Sequence, residues 1–250
     1  METEIYKWIL IVLVTLGASF TQSVTGFGFG IVAMIFLPFF LLYTEANLLS
    51  SILGTITSAL VLISLYRKVS WKNLLFPLIG SFVANYFAVT FVKSAKNEFL
   101  ILLLGIALFL LSLYFFFFSN KIKIRPTWYA GLIAGVISGI MSGLFSIGGP
   151  PVVVYYLQSE KDTEHYLATI STYFVFSGII SASMKILSGF LTLNVGLGLA
   201  LGIFGMLIGT FLGKRTRNKI NPQTMKKAVY GVMAASGVVN IVTSIVQMAL

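Results

Sequence analysis

Apolar residues run through the chain in ten stretches, at about residues 5–24, 30–43, 46–66, 73–92 and 98–118, then 128–144, 148–157, 166–187, 190–212 and 223–248. Most are near the ~20 residues a helix needs to cross a hydrocarbon core of ~30 Å. The stretch at 148–157 would reach only ~15 Å as helix and cannot span alone. Two breaks stand out against this pattern: Ser23-Val24-Thr25-Gly26-Phe27-Gly28-Phe29-Gly30, and Ser142-Gly143-Leu144-Phe145-Ser146-Ile147-Gly148-Gly149-Pro150-Pro151. Glycine releases the backbone from one geometry and proline removes an N–H, so both stop a helix. Non-helical chain at membrane depth has to be buried in protein, line a wet cavity or hold a ligand, because each unpaired backbone group costs several kcal/mol in hydrocarbon.

The order of the stretches is five and five. Shifting the first half by 119 positions superposes Ser19 on Ser138, Ser23 on Ser142, Gly30 on Gly149, Thr44 on Thr163, Glu45 on Glu164 and Ser58 on Ser177. The expected domains are therefore two membrane repeats, residues 1–120 and 121–250. Each opens with a broken helical hairpin whose turn reaches toward the midplane, followed by three spanning helices. The predicted fold class is an all-α integral membrane protein of ten helical segments.

Composition agrees, with 58% apolar and 10% charged residues and a mean hydropathy of +0.97, and it leaves no room for a soluble domain. The net charge of +10 reads as orientation rather than nucleic-acid binding. If all ten segments cross or dip and return, one face collects thirteen of the 17 Lys and Arg residues, including Arg67, Lys68, Arg125, Lys161 and Arg217, and the other holds Lys7, Lys93, Lys96 and Lys185. If each broken pair were one crossing, the split would be eight against nine, with no bias. The positive-inside rule thus favours ten segments and both termini on the non-cytoplasmic side of a cell (inner) membrane, and an odd number per half makes the halves inverted repeats.

Chemistry is narrowed by what is scarce. No cysteine and one histidine exclude thiolate catalysis and make a metal site unexpected, and no cofactor is implied. An intramembrane enzyme would need a nucleophile with a base, which the pattern does not provide. The breaks do offer a binding chemistry: exposed backbone N–H groups, positive helix N-termini and nearby hydroxyls suit a small anion. The candidate substrate-binding residues are Ser23, Thr25, Gly26, Phe27, Gly28, Phe29 and Gly30 in the first half and Ser142, Ser146, Gly148, Gly149 and Pro150 in the second. Glu45 and Glu164, at matched positions, read as first-turn acids favouring the helix dipole, with gating or proton coupling as the functional alternative. Lys185 is expected to snorkel to the outer interface, Asn85 to bond between helices, His165 to be solvated, and Asn221 to cap the last helix. Gly131, Gly135, Gly139 and Gly143, like Gly205, Gly209 and Gly213, read as close-packing stripes. Tyr114 and Phe115 to Phe118 read as a lipid-facing belt.

Gly26 to Gly30 with Pro38, and Gly139, Gly143, Gly148, Gly149, Pro150 and Pro151, resemble the TauE/SafE family of sulfite and organosulfonate exporters across essentially the whole chain. Phe27 and Phe29 interrupt the run of adjacent glycines frequent in that family. The resemblance implies a secondary transporter of sulfur-containing oxyanions, with a small anionic substrate, the lipid bilayer and a coupling proton or sodium ion as partners. An anion channel and a non-transporting accessory subunit are the alternatives.

Overall fold

The computed structural model describes residues 2–118, 124–217, 219 and 222–249. Among the described residues there are ten α-helices and no strand. The first half contains α1 (Glu2–Thr25), α2 (Phe29–Phe36) with a 3-10 turn at Leu37–Phe39, α3 (Tyr43–Ile63), α4 (Trp71–Ser94) and α5 (Asn97–Phe118). The second contains α6 (Trp128–Phe145), α7 (Gly149–Ser159), α8 (Thr163–Leu187), α9 (Leu193–Thr216) and α10 (Pro222–Ala249). Eight of them, all but α2 and α7, are long and apolar enough to cross a membrane. This is a multi-pass membrane protein. Asn221 lies outside the described residues, although Pro222 does open α10, where its fixed φ suits a first helical position.

Small residues decide which helices meet. On α6, Gly135 and Gly139 face the backbone carbonyls of Pro77 and Ser81, and a Cβ at either glycine would come within 2.1 and 2.4 Å of those oxygens. On α9, Gly205 and Gly209 face the carbonyls of Val12 and Leu16, each at 2.1 Å by the same measure. Both stripes therefore do the packing expected of them, and because residue numbers rise together across each contact, α4 runs parallel to α6 and α1 parallel to α9. Gly105 and Gly237 make the equivalent close approach between α5 and α10.

The remaining pairing is α3 with α8, antiparallel, with Thr55 against Gly178 and Ser51 against Lys185. Exchanging the halves turns the α1·α9 contact into α6·α4 and maps α3·α8 and α5·α10 onto themselves. The aromatic belt is split by this packing. Phe116 and Phe117 are exposed as expected, but Phe115 turns inward, stacks on Tyr230 at 4.6 Å between centroids and approaches Phe27 at 6.3 Å. Phe115 lies on the α10-facing side of α5, so it fills the interior rather than meeting lipid.

Candidate functional site

Both breaks are present as helix ends. In the first, α1 stops at Thr25 and the chain reverses through Gly26 at φ +85° and Gly28 at φ +108°, a left-handed conformation that only glycine adopts without penalty. In the second, α6 ends on Ser146 at φ 56°, a left-handed cap in which the Ser146 and Ile147 N–H groups return to the Ser142 and Met141 carbonyls. The turns overshoot the middle instead of meeting end to end. Gly26 packs on Tyr166 and Leu167 near the start of α8, whereas Ser146 lies beside Lys185 near its end. The reason is length: α1 and α6 have 24 and 18 residues, so each crosses most of the bilayer before turning. The segments just after the turns then pass each other. A Cβ on Gly30 would fall 1.8 Å from the Ser146 carbonyl oxygen, and one on Gly149 would fall 3.2 Å from the Phe27 ring.

Where they pass, a cavity of ≈ 60 Å³ opens, level with the middle of α3 and α8. Its wall combines Phe27 to Ile31, Ser142 and Ser146 to Gly149 with Ser50, Ser51, Thr55 and Ser58 of α3 and Phe174 and Ser177 of α8. Eight of the twelve predicted residues are thus brought together: Phe27, Gly28, Phe29, Gly30, Ser142, Ser146, Gly148 and Gly149. The other four lie elsewhere. Ser23 faces Gly213 on α9, and the Thr25 hydroxyl is spent on the Thr21 and Phe27 carbonyls. Gly26 is covered by Tyr166 and Leu167. Pro150 lines a separate apolar recess beside Tyr129, Ile133 and Met141, and with Pro151 it removes two N–H donors from the α7 terminus. The α3 and α8 hydroxyls lie outside the sequence-predicted set. Ser58 and Ser177, which coincide under the 119-residue shift, were their available signal.

Hydrogen bonds seal the cavity at one end, and a separate vestibule lies at the other. On the sealed side the Leu144 carbonyl accepts from Tyr43 OH at 2.5 Å and from Asn47 Nδ2 at 2.6 Å. Asn47 Oδ1 accepts from Ser146 Oγ at 2.7 Å. Lys185 does not snorkel outward. It is fully buried and donates from Nζ to Ser51 Oγ at 2.6 Å, Ser146 Oγ at 3.0 Å and the Ser142 carbonyl at 3.1 Å. Ser177 and Ser181 precede it at four-residue spacing, which puts position 185 on the inward polar face of α8 rather than toward lipid or solvent.

Further toward that end, Glu45 is buried. Its Oε2 accepts from Leu42 N–H at 3.2 Å, and its Oε1 accepts from Thr192 Oγ1 at 2.7 Å and Asn194 Nδ2 at 3.1 Å. It is a first-turn acid, as expected, and also a latch between α3 and the start of α9.

At the basic end a vestibule of ≈ 750 Å³ is walled by Val24, Thr25, Leu65, Lys161, Glu164 and Arg217 among others. Thr25 borders the vestibule and Phe27 the cavity, so Gly26 with Tyr166 and Leu167 forms the partition between them. Glu164 is exposed and pairs with Lys68 at 3.4 Å. Asp162 caps α8 by accepting from the His165 N–H at 2.9 Å, and its carboxyl also contacts the imidazole. Those hydrogen bonds hold the Asp162 carboxyl down at about 2, so His165 is a partner of the cap rather than a freely solvated ring. Asn85 makes the interhelical bonds expected of it, donating to the Gly139 carbonyl at 3.3 Å and Ser181 Oγ at 3.2 Å. Among the described residues, no cluster of three His, Asp or Glu side chains could hold a metal ion.

Residues 11–239 match the family model described as "Sulfite exporter TauE/SafE". A relative from Cupriavidus necator, described as "Probable sulfite/organosulfonate exporter TauE", is 26% identical over 249 residues, covering 95% of each chain. No solved structure matches the chain.

Proposed function

Since the chain belongs to the TauE/SafE sulfite exporter family, we propose that it is a secondary transporter which binds sulfite, or a sulfonate of similar headgroup, between its two helix breaks. The family is one of membrane transporters. The observation that carries the finer reading is the cavity itself. Glycine backbone from both halves and at least six hydroxyl side chains converge at mid-depth, beside the N-termini of α2 and α7, a surrounding that replaces the hydration shell of an oxyanion. A volume of ≈ 60 Å³ holds about four to six waters at 10–15 Å³ each, room for the four heavy atoms of sulfite. The sealed side supports a carrier over a continuous channel.

The matching order of elements and the exchange of contacts between halves support two inverted repeats rocking about this site. The basic end would then be cytoplasmic, with both termini outside. Glu45, as the latch on the sealed side, and Glu164, at the vestibule, are the proposed gates. A Glu45→Gln, Glu164→Gln double variant should change the pH dependence of transport, and an unaltered profile would remove both from coupling.

Purified protein in liposomes should move sulfite under an imposed gradient, with saturation and exchange. Gly149→Val should cut that flux at least tenfold, because the added methyls enter the cavity against Phe27 and Phe174, while leaving membrane insertion intact. Absence of sulfite and sulfonate flux under every gradient would refute the substrate class.

A further inference from the structure

We infer that the Lys185 ammonium is the counter-charge for the anion in the central cavity. The inference rests on the transport reading and adds to it the group that selects for charge. Three observations lead there. Lys185 is 0% exposed within an apolar protein, where an isolated charge is expensive. Among the described residues no carboxylate lies within ion-pairing distance of it, since the ion pairs are Lys68 with Glu164 and His165 with Asp162. Glu45, the buried acid on the same side, spends both oxygens on Leu42, Thr192 and Asn194. Finally, all three acceptors of Nζ belong to residues that line the cavity: Ser51, Ser142 and Ser146.

A purely structural role would be to cap the carboxyl end of α6, where a cation is favourable. That end is already capped without it, because Tyr43 OH and Asn47 Nδ2 both donate to the Leu144 carbonyl. The positive charge is therefore surplus to the helix end and is balanced when an anion enters beside Ser51 and Ser146. An ammonium donates only, so Ser51 and Ser146 both accept from it, while the Ser146 proton goes to Asn47. The site then binds small anions and refuses neutral molecules of the same shape.

The test compares Lys185→Gln, Lys185→Met and Lys185→Arg with the unaltered protein, using sulfite as the probe in thermal unfolding and in liposome flux. Gln keeps hydrogen bonds to the serines and loses the charge. Lys185→Gln and Lys185→Met should unfold, without sulfite, at or above the temperature of the unaltered protein, and should lose the sulfite-induced rise in that temperature. Flux should drop at least tenfold, as for removal of one partner from a buried charge pair. Lys185→Arg should retain part of both. If Lys185→Met is not recovered folded, Lys185→Gln decides. A neutral variant that keeps the full sulfite-induced rise overturns the inference and leaves the transport reading standing, whereas absence of both the rise and the flux in the unaltered protein overturns the transport reading first.

Discussion

Ser146 carries more of the site than any other single position. It holds a left-handed backbone at φ 56°, which costs an L-residue ~1–2 kcal/mol, where glycine would be free of the cost. The hydroxyl accounts for keeping serine there: it touches Asn47, Ser51 and Lys185 at 2.7 to 3.0 Å and so ties the second break to α3 and α8. Two substitutions separate backbone from side chain. Ser146→Ala loses the hydroxyl and keeps the strain, whereas Ser146→Gly loses the hydroxyl and relieves it. Ser146→Gly should therefore be the more stable of the two by about 1 kcal/mol, read from denaturant or thermal unfolding in detergent, while both lose sulfite flux to a similar degree. Equal stabilities would show that the left-handed turn is not strained. Flux retained by either would release the hydroxyl from the site.

The helices impose their own demand, which is that two breaks pass within contact of each other. Gly30 is the position where this is tightest, with the Ser146 carbonyl 1.8 Å from where a Cβ would stand. That neighbour is backbone at the end of a helix and cannot rotate aside. Gly30→Ala should push the two breaks apart, lowering thermal stability by several degrees and removing flux. The same substitution at Gly17, which has nothing within 4 Å, should be silent in both measurements. Comparable behaviour of the two variants would mean that the breaks do not pass as described. The breaks themselves were legible because glycine and proline write local geometry into the sequence. The glycine stripes on α6 and α9 were legible as packing surfaces for the same reason. Their partners were not, since Pro77, Ser81, Val12 and Leu16 offer only carbonyl oxygens at the contact and nothing in those side chains announces it. The proposed repeat is faint for a related cause. In the contacts α4·α6 and α1·α9, which an exchange of the halves would interconvert, the glycines sit on α6 in one and on α9 in the other, so they change sides. Lys185 reads as an outward snorkel only when taken alone; Ser177 and Ser181 on its own helix face mark that face as polar and inward.

For the whole molecule, one end is knitted shut through Tyr43, Asn47, Lys185 and Glu45, and the other opens into a vestibule flanked by Lys161 and Arg217. On the proposed topology the vestibule faces the cytoplasm, so an exporter would load from it once the partition at Gly26, Tyr166 and Leu167 parts, with the outer end still knitted. The absence of cysteine from the sequence makes this orientation directly measurable, because any introduced thiol is the sole target for a labelling reagent. Lys96, at the turn between α4 and α5, and Lys68, between α3 and α4, are exposed at opposite ends of the bundle. With a membrane-impermeant maleimide on intact spheroplasts, Lys96→Cys should label at once. Lys68→Cys should label only after permeabilisation. The same pattern repeated in the second half, with Gly189→Cys labelled from outside and Lys161→Cys from inside, would require α8 to run opposite to α3 across the membrane, as inverted halves demand. Labelling of Lys96→Cys and Lys68→Cys from one side would break the first half's topology, and labelling of Gly189→Cys only after permeabilisation would make the halves parallel and end the rocking mechanism with them.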